Sequence, residues 1–442
     1  MAGSLHQQII ALNVPMTPLH NHWHAYNLSE SPFFQRDLQP SGVRYPIDLF
    51  VGREDEAERL LRAIGGAASS RQTIEGLPGI GKTTLAQFVK SSAAAAGYAS
   101  YPDPVSAAGV DTTETLLVRL LSYVYDALTT HLGEAVLDEP AVEAARRLVL
   151  DTRVRDIKVA AQIAGFGFNR ESATRNEPPA FRVELLAIPP ILRELPRVAS
   201  RYGLSGIVVH INNVENLVTD ADRTRAGNAL LDIRDLFLID GIHYLLVGTP
   251  DAVRALIAPH AQLRSVFGIG RPLAPLPRDG FLSLLARRYT HLRLDPWQEV
   301  RAPVDHDAAA EVYRVYRGDL RGTLRALDEA TQELIGYTGR PGAPIGADEL
   351  FRVLVPMLQA EADSTLGETL QDRFYALRGI RGEVTQKDLM DIWEVTQGHV
   401  SASVRELQRL GYVHETRREG RRIWYALTGP ARLVLGLEHL PG

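Results

Sequence analysis

Apolar positions along this chain fall into two rhythms, one with the period of helices and one running unbroken as buried strands do. At 54–65, EDEAERLLRAIG, acids fill the first turn and Leu60, Leu61 and Ile64 recur at helical spacing, which predicts a short helix. RQTIEG then reads as a strand, and KTTLAQFVKSSAAAAG reads as a helix. Residues 113–150 are helical in pattern, with Leu116, Leu117, Leu120, Leu121 and Val124 on one stripe. A helix over about 180–201 leads into the apolar strand GIVVHI. A helix holding Leu230, Leu231, Ile233, Leu236 and Phe237 follows, and then the strand IHYLLVGT. Apolar strands separated by helices predict a mostly parallel sheet covered on both faces.

The same patterning divides the chain. Residues 1–48, rich in Pro, His, Ser and Asn and without a sustained period, read as an irregular N-terminal arm. An α/β nucleotide-binding unit is expected over 49–277. Its insertion at about 155–178, where IKVAAQIAGFGFNRESATRN alternates apolar and small residues, reads as a hairpin or strand-rich excursion. Residues 278–363 read as a helical lid and linker, with the Gly/Pro-rich joint TGRPGAPIG at 338–346. A module of different character occupies 364–442.

Chemistry enters at IEGLPGIGKTTLAQF. Gly76, Gly79 and Gly81, with Pro78 and Ile80 between them, let backbone wrap closely around a phosphate chain. Lys82 is placed to reach the β- and γ-phosphates, and Thr83, followed by Thr84, offers a hydroxyl to Mg²⁺. A strand before and a helix after are the context this motif requires. The strand expected to carry a magnesium acid, GIVVHINNVENL, has Asn212 and Asn213 instead, with Glu215 as the remaining acid. Asparagine can orient a metal-bound water but cannot take its proton, so weak or absent hydrolysis is expected. HYLLVGTPD, with Asp251 beyond it, is the competing strand for that role.

The last module, 385–429, has the order helix, turn, helix, hairpin. Leu389, Ile392 and Trp393 give the first helix an apolar face, and Gly398 marks the turn. Val404, Leu407 and Leu410 give the second helix its buried stripe, which Gly411 terminates. The hairpin turns at Glu419-Gly420. The module resembles the winged helices of bacterial transcription regulators. Its second helix carries His399, Ser401, Ser403, Arg405 and Gln408, and its wing carries Arg417, Arg418, Arg421 and Arg422. The helix would enter a major groove while the wing holds phosphates. Such a module can equally serve protein contacts or autoinhibition. The segment AGFGFNRES, with Phe166, Phe168 and Arg170, reads either as a second DNA-facing loop or as a sheet-edge hairpin with buried rings.

Composition changes this picture only slightly. With 48 basic and 53 acidic side chains the net charge is −5, so any DNA contact is a local patch. The chain has no cysteine, which excludes disulfides and thiolate metal sites. The start of the chain lacks a signal pattern, and no apolar run approaches the ~20 residues of a membrane span. A cytoplasmic protein without membrane contact is expected. HNHWH (His20, His22, His24) could place imidazoles on one face of a strand, but no carboxylate or cysteine stands beside it.

Taken together, these motifs resemble AAA+ ATPases of the initiator and STAND-like branch, which includes archaeal origin-recognition ATPases. The likeness runs over roughly 31–440. FVGRE, Phe50 to Glu54, resembles the turn whose neighbours contact adenine, which puts Val51 and Gly52 at the base. GLPGIGKTT matches Walker A, and IVVHINNVE matches Walker B in position without its acids. YLLVGTPD resembles sensor 1, with Thr249 at the polar sensor. The stretch from Gln262 to Arg288 resembles the next strand and its lead-in, where the family carries an arginine finger. Arg264 or Arg271 would fill that role. YRGDLRGTLRAL resembles the sensor 2 helix, with Arg321 directed at the γ-phosphate. The resemblance implies ATP and Mg²⁺ as cofactors, and a homo-oligomer in which one subunit completes its neighbour's site. The expected fold class is thus α/β, a P-loop AAA+ parallel sheet with helical lid plus a winged helix-turn-helix. The expected function is an ATP switch coupled to self-assembly and double-stranded DNA. The alternatives are a signalling ATPase of a defence system with a separate effector partner, and a nucleotide-sensing transcription regulator.

Overall fold

The computed structural model describes residues 21–39, 42, 44–110, 112–150, 186–217, 219–268, 270–335, 342–419 and 422–438. The expected insertion, with Phe166, Phe168 and Arg170, lies outside them, as do His20 and Arg421.

Helix α1 (Glu54–Gly65) precedes strand β1 (Ser70–Glu75), and the glycine loop opens α2 (Lys82–Ala95). Short strands β2 (Tyr98–Ser100) and β3 (Val105–Ser106) lead to α3 (Thr113–Leu132). After α4 (Ile188–Arg201), β4 (Gly206–Asn212), α5 (Asp220–Asp232) and β5 (Ile242–Gly248) complete the sheet. Its order is β1-β5-β4-β2, with β3 also on β4, and every pairing is parallel. Strands β4 and β5 are buried along their whole length, which explains why they read as continuous apolar runs. The helix expected through Phe237 is broken: α5 stops at Asp232, and Arg234–Leu238 form a 3₁₀ turn that still buries Leu236 and Phe237.

One face of the sheet packs against α3, α4 and α5. The other packs against α2 and a second core that takes in the lid and the chain start. Residues 21–38 hold a 3₁₀ helix at His22–Tyr26, and they are stitched into that core by Trp23, Tyr26, Leu28, Phe33, Phe34 and Leu38. Their burial follows no period, since Trp23 packs against Tyr26 and Phe33 across the fold of the segment, so patterning alone reads them as a loose arm.

On the α2 side of β4, one charge is buried at unusual cost. Lys90 is almost fully buried and donates to the carbonyls of Tyr101 (2.6 Å) and Pro102 (2.8 Å). Burial pulls its ammonium down to about 7 from 10.5, partly opposed by Asp103. The nearby His210 ring is completely buried, and neither ring nitrogen has a partner among the described residues. Burial, and then the Lys90 charge, hold it well below the usual histidine range, so it stays neutral. Below pH 7 both the folded and the unfolded chain hold the Lys90 proton, and the fold carries the full penalty. Between pH 7 and 10.5 only the unfolded chain holds it, so stability rises with pH by up to about 5 kcal/mol. Lys90→Met should remove that slope in pH-dependent denaturation. A slope unchanged by the substitution would refute the assignment.

Helices α6 (Pro250–Ile257) and α7 (Ala261–Val266) follow the sheet. Residues 270–277 run beside β1, joined by Leu273 N–H to Glu75 O (2.7 Å), but these described residues form no strand, contrary to the expectation of one there. The lid comprises α8 (Arg278–His291), α9 (His306–Val315) and α10 (Leu320–Ile335), followed by α11 (Ala347–Thr365).

The terminal module contains α12 (Glu368–Tyr375), β6 (Val384–Thr385), α13 (Gln386–Trp393), α14 (Gln397–Arg409), β7 (Val413–Glu419), β8 (Arg422–Leu427) and α15 (Gly429–Val434). It has its own core around Phe374, Leu389, Trp393, Val404 and Leu407. Two expectations shift here. Gly398 lies inside α14, and the turn is made by Glu394 in the left-handed region (φ 52°), whose N–H caps α13 at Met390 O. Ile392 is exposed rather than part of the apolar face.

This module is keyed to the lid. A side chain on Gly429 would meet the Tyr316 Cα at 2.6 Å and the Val315 carbonyl at 2.7 Å, both backbone atoms. Leu433 of α15 belongs to the core that holds the lid.

Candidate functional site

The cradle is built where β1 turns into α2. Gly79 (φ 78°) and Gly81 (φ 94°) hold backbone that side-chain-bearing residues rarely adopt. At Gly79 space also excludes a side chain, because a Cβ there would run into the Asp319 carboxylate. The N-terminus of α2 has no side-chain cap, so its N–H groups are left for an anion. Lys82 is buried and folds back onto the loop, donating to the carbonyls of Gly76 and Leu77 (3.0 Å each). Burial lowers its pKa, Glu215 opposes this, and Arg321 adds to it.

Thr83 stands beside Asn212, whose amide nitrogen lies 3.5 Å from the threonine hydroxyl. Asn213 is in the left-handed region (φ 63°) and reaches away, donating to Ser106 Oγ at 3.3 Å. Glu215 lines the same cleft as Lys82 and Thr83. The only anionic oxygens beside Thr83 in this cleft wall, among the described residues, are therefore those of Glu215 and Asp37. Mg²⁺ accepts such a sparse protein set when phosphates and waters supply the rest.

The lid closes the cleft. Arg321 N–H donates to Gly79 O (3.3 Å), and its exposed side chain lines the cavity with Leu320 and Leu324. Asp319 accepts from Gly322 N–H (3.0 Å), and burial raises its pKa. The cleft leaves room of about 130 Å³ beside the phosphate loop. Next to it a recess runs along Phe50, Val51, Ile80, Leu276 and Leu284, with Arg36, Arg53 and Arg288 also in its wall. Gly52 N–H is held by Glu54 (2.9 Å). Buried Arg53 ties Ile80 O to Ala274 O (2.8 Å each). A flat base could enter this recess while its phosphates lie in the cradle.

Sequence reasoning missed several lining residues. Gln35, Arg36 and Asp37 overhang the cleft from the chain start, and Arg288 reaches it from α8. Arg288 donates to Pro32 O (3.1 Å) and Phe34 O (2.7 Å), and its guanidinium lies 3.8 Å from the Phe34 ring centre. Burial lowers its pKa to about 9. No local motif marks these positions, because they meet the cradle only through tertiary packing.

Thr249, Arg264 and Arg271 are among the expected residues that lie outside the cleft wall. Thr249 caps α6, accepting from Ala252 N–H (3.4 Å). Arg264 on α7 and Arg271 in the following segment are exposed and line no cavity with Lys82. Among the described residues, no group of three or more His, Cys, Asp or Glu could hold a metal ion, and no helix is long and apolar enough to cross a membrane.

In the terminal module, α14 exposes His399 and Arg405, with Ser401 and Gln408 half-buried. Ser403 faces inward and accepts from Arg373, so it is not on the exposed face expected of it. Arg417 and Arg422 are exposed on the wing, and Arg418 sits in β7 opposite Ile423. Two helices followed by a twisted hairpin, with a third short strand at β6, complete the arrangement. Residues 374–430 match the winged helix DNA-binding domain family. No curated protein matches the chain.

Solved structures similar over nearly the whole chain include the Aeropyrum pernix ORC1 protein in complex with DNA. It is 15% identical, with TM-score 0.47, covering 93% of this chain and 97% of that one. The Aeropyrum pernix ORC2 protein in its ADPNP–ADP complexes is 17% identical, with TM-score 0.42 and coverages of 92% and 97%. Cdc6p from Pyrobaculum aerophilum is 14% identical, with TM-score 0.41 and coverages of 92% and 96%.

Proposed function

We propose that this chain is an AAA+ ATP switch that couples nucleotide state to self-assembly and to double-stranded DNA binding, with weak or absent hydrolysis. The observation that carries this reading is the juxtaposition at the cleft: a complete phosphate cradle with Asn212, not an acid, beside the Thr83 hydroxyl. ATP would lie with its phosphates on the Gly76–Thr83 loop and its base in the recess by Val51. Mg²⁺ would take the Thr83 hydroxyl and supply charge neutralisation between the phosphates. Lys82 and Arg321 hold the phosphate oxygens, and Glu215, just past the strand that ends at Asn212, orients a water. Arg264 or Arg271 would reach a neighbouring subunit's cleft, since neither lines its own.

Asn212→Asp restores an acid beside Thr83 and should raise phosphate release at least about tenfold. The reading fails if the wild type already turns over tens of ATP per second, or if Asn212→Asp leaves hydrolysis unchanged while Lys82→Ala abolishes it. The broader test measures particle size and duplex-DNA affinity with ATP, with ADP and without nucleotide. Both quantities should respond to nucleotide in the wild type and lose that response in Lys82→Ala.

A further inference from the structure

The wing carries an aromatic ring where a solvated hairpin needs none. Trp424 stands on β8, the central strand of the β6-β8-β7 sheet, directly opposite Arg417 on β7. Side chains alternate across a strand, so Trp424 shares its face with Arg422 and turns away from buried Tyr425. The Arg417 guanidinium lies 4.2 Å from the Trp424 ring centre, and that of Arg422 lies 5.1 Å from it. Both are within cation–π range of one indole. A bulge between Glu415 and Arg417, closed by Thr416 Oγ1 donating to Trp424 O (3.3 Å), sets this register. Without the extra residue Arg417 would fall on the opposite face.

A third group completes the cluster. Glu383, just before β6, accepts from Arg417 Nε at 3.1 Å. Its carboxylate offers the guanidinium the same kind of anionic oxygen that a phosphodiester would. Asp388 on α13 also stands near Arg422: its pKa is lowered by hydrogen bonds to Thr385 and, more weakly, by Arg422 and Lys387.

We infer that Trp424 is a positioning residue for phosphate binding. Its ring holds Arg417 and Arg422 as a pair of guanidiniums on one face of the wing, and Glu383 occupies Arg417 until a DNA phosphate displaces it. This rests on the DNA reading of the winged helix. Two long side chains free to rotate must be ordered when they bind, and a ring that orders them beforehand removes part of that cost. Displacing Glu383 works against binding, so the two side chains act in opposite directions.

The test uses full-length protein and a mixed-sequence linear duplex, with affinity measured by anisotropy over a salt series. Thermal melting checks that each variant folds. Trp424→Leu should weaken binding about 5- to 10-fold, from about 2- to 5-fold per lost contact, while every arginine is retained. Trp424→Phe, which keeps a ring, should recover most of the loss. Glu383→Gln should tighten binding several-fold. In Arg417→Ala/Arg422→Ala protein, adding Trp424→Leu should cost nothing further, which a merely structural tryptophan would not show. The inference is overturned if Trp424→Leu matches wild type while the double arginine variant is weakened. It is also overturned if Trp424→Leu costs as much in the arginine-free background. If the double arginine variant itself binds as wild type, the DNA reading of the wing is what has failed.

Discussion

Lys82→Ala is expected to weaken ATP binding by about two orders of magnitude, measured by calorimetry or by displacement of a fluorescent ATP analogue. Lys82 is the one lysine of the cradle, and its ammonium is buried at the mouth of the cleft. A hydrogen bond to a charged group is worth about 1.5–3 kcal/mol, and about 1.4 kcal/mol is tenfold in affinity. In the structure its protons go to two loop carbonyls, Gly76 O and Leu77 O. Phosphate oxygens, being charged, are stronger acceptors than either, so the ammonium moves to them at a net gain. The alanine variant loses that gain and also loosens the loop. Retention of ATP affinity within about threefold would remove the cradle from the nucleotide site. A pH signature accompanies the effect. Burial lowers the Lys82 pKa in the free protein, and a bound phosphate raises it again. ATP affinity is therefore full where free Lys82 is protonated. It falls as pH rises through the lowered pKa, earlier than an ordinary lysine would give.

The second large effect belongs to the wing. Replacing Arg417, Arg418, Arg421 and Arg422 together with alanine should cut duplex-DNA affinity by about a hundredfold at moderate salt. Four neutralised phosphates contribute about −3.6 to the slope of log K against log salt, and three contribute about −2.7. Because Glu383 already engages Arg417 in the free protein, the loss of slope should lie between these values. DNA affinity unchanged by the fourfold substitution would exclude a DNA-holding wing. The signalling reading, in which the winged helix contacts protein, would then take its place.

The sheet strands and the phosphate loop were legible in the sequence because each is a local property. β4 and β5 are apolar throughout, since both their faces are covered, and the Gly-x4-Gly-Lys-Thr spacing fixes its own loop. The winged helix was legible for the same reason, from two apolar stripes and a turn signal. What failed was whatever depends on distant chain. Trp23, Phe33 and Phe34 sit in a segment without a sustained period, and only the lid and α2 explain their burial. Arg36 and Arg288 line the cleft beside the glycine loop from segments with no phosphate motif. Ser403 was placed on the outer face of α14 by residue type, whereas Arg373 draws it inward. Residues 270–277 have strand-like neighbours but lack a ladder, and Pro272, Pro275 and Pro277 withhold the donors that one would need.

The join between lid and winged helix bears on how this protein can be cut. Gly429 has no room for even a methyl group against Tyr316, and Leu433 fills the core shared by α2, the chain start and the lid. A chain ended before α15 would open that core to water at the very helices that roof the nucleotide. Truncation would thus damage ATP binding and DNA binding in one stroke, and a lost activity in such a fragment could be assigned to neither. Surface substitutions on an intact chain are the clean instrument for this molecule, because its terminal module completes the packing of the body it follows.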